Sequence, residues 1–578
     1  MTTAARFAAY LHPHRSRLAW AVLAMAIVSA FNGLSVLLIK PIIDRLFIAK
    51  DLQMLRLVVA GLPLLAILKS AASYAQNYLT SWIGQKTVQQ IREDLFRHLH
   101  ELPLDYYSGR RGSQVLSRVS ADLAIVQSAL TTLPVYAIRD SLTLVFLTGA
   151  LIHLSWRFAA LAALASPFSL AGLYVLSRKM RASSRQAQLA VERLHHRFQE
   201  SVQGMAVLKA YNDEPAAIER FQEENDAFFQ PVMRYLRAVA LSTPLLEVGA
   251  SVAVAAITAV GGREVILGRM TPGAFFAFLA GLLAAYAPIK NLARTNAELQ
   301  RAWACARRLF DLLDEKGADA PKTLPAFPGL RSSLRLEGVG VRYPGARRWA
   351  LRGLDLEIPR GSRLAVVGPS GSGKSTLGRL LLRLRDPDEG RLLLDGGDAR
   401  GWDAGSLRAR AALVTADGGL FNDSVFRNVA LGRGVCSLSE VERACRAVGA
   451  ADFIEALPEG YRTLLGDWGF ALSAGQRQKI ALARALLRDP ELVILDEATA
   501  HLDAESAREV SAALEAAFSG RTVVVIAHDP RALAGAESVA VLDAGRLVEF
   551  GSRDELMAAR GLYRRLFESA PDSTKEAA

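Results

Sequence analysis

Residues 368–376 set glycines, hydroxyls and a lysine at a spacing that suits the phosphates of a nucleotide. Gly368, Pro369, Ser370, Gly371, Ser372, Gly373, Lys374, Ser375 and Thr376 fit G-x-x-x-x-G-K-[ST]. In such a loop the glycines let successive backbone N–H groups turn toward one anion, the lysine reaches the β/γ oxygens and the serine hydroxyl ligates Mg²⁺. The flanks agree: 363–367 reads as a buried strand and 374–384 as a helix whose N-terminal dipole adds to the anion site. A second group follows in 492–497, an apolar strand ending in Asp496 and Glu497. Asp496 is expected to hold Mg²⁺ beside the phosphates, and Glu497, one residue further, to polarise an attacking water as general base. A third group, Leu472, Ser473, Ala474, Gly475 and Gln476, opens a helix with small residues and a hydroxyl, which makes another phosphate site. A nucleotide and Mg²⁺ are the cofactors these groups require.

The elements that must position this chemistry are of two kinds. A chain of 578 residues is too long for one core, and 51% hydrophobic with 22% charged residues fits a membrane part joined to a soluble part. Residues 18–39 carry no charge over 22 positions, about 33 Å of helix and one bilayer crossing; they read as a retained span and not a removed signal. Residues 158–177 and 271–289 are also uncharged. Three more spans carry charges: 57–83 with Lys69, 133–152 with Arg139 and Asp140, and 238–262 with Glu247. Pro63, Pro167, Pro244 and Pro288 fall within or beside spans, where kinks are tolerated. The Lys/Arg-rich segments 86–118 and 178–237 place themselves and both termini in the cytoplasm by the positive-inside rule, and their helical periodicity extends the spans beyond the bilayer. The same rule accounts for the net charge of +12 without a nucleic-acid partner. Three cysteines at unrelated spacings imply neither a disulfide framework nor a metal site.

The expected architecture is therefore multidomain. An all-α six-helix transmembrane domain with long cytoplasmic extensions occupies 1–314, a Pro/Gly-rich linker 315–333, an α/β P-loop nucleotide-binding domain 334–567 and a disordered polar tail 568–578. The order of the three nucleotide motifs behind six spans resembles a bacterial ABC exporter half-transporter, with Ala474 where the family signature has its first glycine.

That resemblance implies further roles. Tyr343 matches the aromatic that stacks on adenine, His528 the switch histidine at the γ-phosphate and Asp503 the D-loop aspartate; Asp467 stands in a loop that contacts the membrane domain. Lys374, Glu497 and His528 would be catalytic. Ala416 occupies the position of a glutamine that touches Mg²⁺, so slow but real turnover is expected, with Asp417 or a water as replacement. Because one copy's signature caps another's phosphate loop, the resemblance implies a homodimer, with room for a heterodimer. Tyr107 and Tyr211 fall in segments resembling coupling helices. Ionisable side chains in a bilayer cost about 2.5–3.5 kcal/mol on insertion scales and mark a pathway or a pair. Lys69, Arg139 and Lys290 are expected to face a shared cavity and bind an anionic head group, the alternative being snorkelling or local pairing. Asp140 is expected to pair with Arg139 only in part, since neighbours on an α-helix diverge. Residues 37–44 and 287–290 resemble lipid A flippases, which implies an amphipathic lipid such as lipid A, moved across a bacterial inner membrane by alternating access. Drug or peptide export, an ATP-gated channel and a regulatory half-transporter share the same motifs.

Overall fold

The computed structural model describes residues 2–107, 111–315, 324–343, 345–416, 418–466, 469, 472–498, 504–527 and 535–568. Two compact units result, Met1–Arg97 with Leu116–Asp314, and His98–Val115 with Glu315–Ala578.

The first unit is helical because a backbone in hydrocarbon must satisfy its own hydrogen bonds. Its helices include Arg15–Pro41, Leu52–Glu101, Asp140–Leu154, Trp156–Gln203, Glu214–Ile266 and Pro272–Leu313, so each of the six expected spans falls on helix. Among the described residues, four helical stretches are long and apolar enough to cross a membrane: Thr3–Ile48, Leu52–Glu101, Val119–Leu154 and Pro272–Leu292. The helices over 158–177 and 238–262 hold many side chains outside the described set. Leu52–Glu101 is 50 residues, about 75 Å of helix against a hydrocarbon core of about 30 Å, so it continues well past the bilayer.

Pro63, Pro244 and Pro288 lie inside unbroken helices. The irregularities come instead after Pro41 and Pro134, where the chain widens into π-helical turns at Ile42–Ile48 and Val135–Arg139. A proline removes an N–H and crowds the preceding turn, which favours such a bulge. One helical core joins Val88, Ile91 and Leu95 to Leu123, Val126, Cys305, Leu309 and Phe310; another gathers Leu151, Phe158, Ile257, Phe275 and Phe278.

The second unit carries two sheets. β1 (Ser333–Val341), β2 (Leu351–Pro359), β4 (Glu389–Leu394) and β5 (Gly397–Asp398) form an antiparallel sheet in the order β2-β1-β4-β5. β3 (Arg363–Val367), β6 (Ala411–Thr415), β7 (Leu492–Asp496), β8 (Thr522–Ile526), β9 (Ser538–Asp543) and β10 (Arg546–Gly551) form a six-stranded sheet, order β10-β9-β3-β8-β7-β6. All of it is parallel except β10. Helices cover the parallel strands on both faces, and the strands read as continuous Val/Leu/Ile runs for that reason.

The stretch read from sequence as a linker is in part cassette core. Phe327 and Leu330 are buried with the β1–β2 side chains, Asp403 N–H donates to the Pro325 carbonyl, and Leu330 N–H donates to Glu491. Its residues 316–323 lie outside the described set, as do 569–578; the helix Leu562–Glu568 runs up to that tail. Cys305, Cys436 and Cys445 are unpaired.

Candidate functional site

The phosphate loop joins β3 to the helix Lys374–Leu381. Gly368, Gly371 and Gly373 hold φ of +151°, +79° and +105°. At Gly373 a Cβ would come within 2.4 Å of the Ala350 carbonyl oxygen, and at Gly368 within 2.0 Å of that of Leu542. Only glycine lets the loop turn so tightly against these two strand ends. The helix starts from Gly373 with no side-chain cap, which leaves its first N–H groups for an incoming anion. Lys374 is 5% exposed, and its Nζ donates to the carbonyls of Gly368 and Pro369 at 2.9 Å each, so the ammonium sits inside the loop. Burial pulls its pKa below the ordinary lysine value, with Glu497 and Asp496 opposing that shift. The hydroxyl of Ser372 is also buried, without a partner among the described residues.

Asp496 ends β7, between Thr415 of β6 and Ile526 of β8 in the sheet register. The Ser375 hydroxyl donates to Asp496 Oδ1 at 3.3 Å, which brings the two expected Mg²⁺ ligands together across 121 residues of chain. Burial lifts the Asp496 carboxyl above the usual carboxylate range, against the Ser375 hydrogen bond, and nearby Glu497 adds to the rise. A buried acid that is costly to ionise beside a hydroxyl is a donor set that a hard cation would stabilise. Glu497 adopts φ +53°, a strained left-handed conformation held by its N–H to the Ile526 carbonyl at 2.9 Å. Ala416 follows the β6 residue paired with Asp496, so it stands level with Glu497 and offers no side-chain oxygen. Asp417, Asp467, Asp503 and His528 lie outside the described residues.

Ser473 caps the helix Ala474–Leu487: its hydroxyl accepts from Gln476 N–H at 3.2 Å, and Gln476 Oε1 accepts from Ser473 N–H at 3.0 Å. This reciprocal capping box fixes the helix start and the Gly475 backbone between its two members. The helix packs Ile480, Leu482 and Ala485 into one core, whereas the phosphate-loop helix packs Leu377, Leu380 and Leu381 into the other. The signature helix and the phosphate-loop helix thus pack on opposite faces of the six-stranded sheet.

Tyr343 is half-buried beside the loop. Its hydroxyl lies 3.2 Å from that of Thr376, and the Arg385 guanidinium lies over its ring at 4.9 Å from the centroid. Arg385 also forms an ion pair with Asp105 of the short helix Leu104–Tyr107, and donates to the Arg342 carbonyl at 2.9 Å. Sequence reasoning singled out Tyr107, whose hydroxyl donates to the Leu99 carbonyl, but it missed Asp105 and Arg385. No sequence spacing connects those two; the fold does. In the first unit, Tyr211 is 80% exposed at the end of the helix Met205–Tyr211, which Asn212 closes at φ +53°.

The membrane cations differ from expectation. Arg139 pairs fully with its neighbour: Nε lies 2.8 Å and Nη2 2.7 Å from Asp140 Oδ1. The π-helical turn Val135–Arg139 breaks the α spacing on which the expected divergence rested, and the long guanidinium folds onto the next residue. Asp140 is 2% exposed and accepts from Asn291 Nδ2 at 2.7 Å, while Ser29 and Thr143 hydroxyls donate to the Arg139 carbonyl at 2.9 and 2.8 Å. Lys290 is half-buried, with Nζ 5.9 Å from the centre of the Tyr286 ring. Lys69 is half-buried too, and among the described residues no hydrogen bond or ion pair joins it to Arg139 or Lys290.

Comparison with known proteins agrees with this geometry. Residues 18–288 match the family described as the ABC transporter transmembrane region, and residues 351–500 match the family described as ABC transporter. The chain is 35% identical over 557 residues to an ATP-dependent lipid A-core flippase of Desulfotalea psychrophila, covering 96% of this chain and 97% of that one. It is 36% identical over 563 residues to a protein of the same description from Thiobacillus denitrificans, covering 97% of each. A solved bacterial Atm1-family ABC exporter with ATP bound superposes with a TM-score of 0.80 at 27% identity, over 97% of this chain and 99% of that one. The chain therefore belongs to the ABC transporters, as an exporter whose membrane helices and ATP-hydrolysing cassette share one polypeptide.

Proposed function

We propose that this chain is an ATP-driven flippase of a bacterial inner membrane that moves a lipid A-core type amphiphile. The observation that carries the reading is near-complete coverage of relatives described as ATP-dependent lipid A-core flippases at 34–36% identity in four organisms. Basic residues in apolar helices support it, because a phosphorylated head group with several acyl chains needs both. Lys69, Arg139 and Lys290 would meet the head group. The cassette lies on the cytoplasmic side in this reading, where the Lys/Arg-rich segments place it.

For hydrolysis, Lys374 leaves the loop carbonyls for the β/γ oxygens of ATP, and Tyr343 takes the adenine. Ser375 and Asp496 are the side chains that would hold Mg²⁺, which when bound neutralises charge between the phosphates. Glu497 takes the proton of the attacking water, with His528 at the γ-phosphate. Ser473, Gly475, Gln476 and Asp503 of a second copy would complete the site, since one chain supplies one phosphate loop and one signature. Tyr107 and Tyr211 would pass the closure of the cassettes to the helices, which alternate between inward and outward access.

The test is ATPase of the full chain in lipid nanodiscs with and without lipid A. Stimulation by lipid A that is lost in an Arg139→Gln/Lys290→Gln variant supports the reading. Stimulation by neutral drugs or peptides, with none by lipid A, replaces it with the drug- or peptide-exporter alternative.

A further inference from the structure

A recess of about 250 Å³ opens on one face of the helix Leu52–Glu101, lined by Trp82, Gln85, Lys86, Gln89 and Arg92. These positions fall three, four, seven and ten residues after Trp82, one stripe of a single helix. The Arg17 guanidinium lies over the Trp82 ring at 3.5 Å from its centroid, and His14 meets the same ring edge-on at 5.2 Å with its Nε2 buried and unpaired among the described residues. Lys86 and Arg92 thus line the recess beside Trp82, and Arg17 covers the ring of the same aromatic. Of the carboxylates closest in sequence, Asp94 accepts from the Tyr10 hydroxyl at 2.7 Å, and Glu93 reaches the recess only through Gln89, from which it accepts at 2.7 Å. Lys86 makes one hydrogen bond, to Gln89 at 3.0 Å, and neither Arg17 nor Arg92 has an ion pair among the described residues.

The depth of this cluster is telling. Trp82 closes the apolar run 57–83, and Arg17 immediately precedes the uncharged run 18–39. On the side of Trp82 that leads into the apolar run, the same stripe continues with Tyr78 and Tyr74, 57% and 71% exposed and stacked at 6.1 Å and 12°. Trp20, on the neighbouring helix, is 64% exposed. Aromatics at this level and cations just beyond it form the pattern of a bilayer boundary, and an anionic leaflet concentrates phosphate there.

We propose that this recess binds the phosphate of an anionic phospholipid of the cytoplasmic leaflet, with Arg17, Lys86 and Arg92 on the phosphate and the acyl chains along Tyr78 and Tyr74. The residues of this recess are not those assigned to cargo or to the nucleotide. Its chemistry also suits free phosphate, but the exposed aromatic stripe gives a soluble anion nothing to bind.

The experiment uses the full chain in detergent, titrated with phosphatidylglycerol or phosphatidylcholine carrying brominated acyl chains, or with inorganic phosphate in competition. The signal is the tryptophan quenching present in the wild type and absent in Trp82→Phe. Phosphatidylglycerol is expected to quench at about tenfold lower concentration than phosphatidylcholine, and the preference is expected to vanish in Arg17→Gln/Lys86→Gln/Arg92→Gln with basal ATPase unchanged. Lys86→Gln alone gives a partial loss if the triple variant does not fold. Equal quenching by both lipids, or no Trp82-dependent quenching, overturns the site. Displacement by millimolar inorganic phosphate overturns the lipid assignment and makes it a soluble-anion site.

Discussion

The cassette and the membrane helices treat buried charge in opposite ways. In the cassette, Lys374 is held by its own loop and the Ser375–Asp496 pair sits where a cation would be stabilised, so the charges are poised for a ligand. In the membrane unit, Arg139 is already answered by a buried carboxylate, itself tied to Asn291 on another helix. A phosphate loop must be incomplete until ATP arrives. An arginine in hydrocarbon needs a counter-charge at all times, because an unpaired charge there is costly. Any anionic cargo at Arg139 therefore competes with a paired Asp140, whereas the hydrogen bonds ATP would replace at Lys374 are to backbone carbonyls.

Four substitutions sharpen or break that contrast. Glu497→Gln is expected to lower ATPase by about 10²–10⁴-fold with ATP binding retained, as for loss of a general base; turnover equal to the wild type in the same nanodiscs would remove Glu497 from the chemistry. Asp140→Ala strands Arg139 and Asn291 together and is expected to cost about 1–3 kcal/mol, read as a lower melting temperature in detergent. Lys69→Gln, by comparison, should stay within about 0.5 kcal/mol of the wild type. Equal melting of all three proteins would mean that the Asp140 network carries no load. Ala416→Gln supplies the side-chain oxygen missing beside Asp496 and is expected to raise ATPase up to about tenfold, the worth of about 1.4 kcal/mol in a barrier, and to lower the Mg²⁺ needed for half-maximal rate. An unchanged rate would show that another group already fills that position.

The nucleotide site was legible because its chemistry is local in sequence. Nine consecutive residues make the phosphate loop, two make the strand end, and Ser473 with Gln476 makes a cap of one turn. The helix read over 374–384 starts at the same residue in the structure and ends three residues earlier, at Leu381. The linker was misjudged where Phe327 and Leu330 enter the cassette core, since proline and glycine density conceals two buried apolar anchors. The membrane charges were misjudged for a different reason. Adjacent residues diverge on an α-helix, but Pro134 opens a π-turn and removes that rule at Arg139. The irregular turns follow Pro41 and Pro134, whereas Pro63, Pro244 and Pro288 lie within continuous helix.

By itself the sequence pointed to helices that cross a membrane, and to a glycine-rich loop and an acidic strand end of the kind that handle ATP. Apolar run length and loop chemistry depend on residues within a few positions of each other, so they need no fold to be read. Tertiary structure alone decided that Ser375 meets Asp496, that Arg385 ties Asp105 to Tyr343, that Asp140 neutralises Arg139 with Asn291, and that Arg17 stacks on Trp82. Each of these joins side chains that sequence pattern leaves unrelated, through strand register, a widened helical turn or helix packing, and the burial that gives such contacts their strength exists only once the chain has folded.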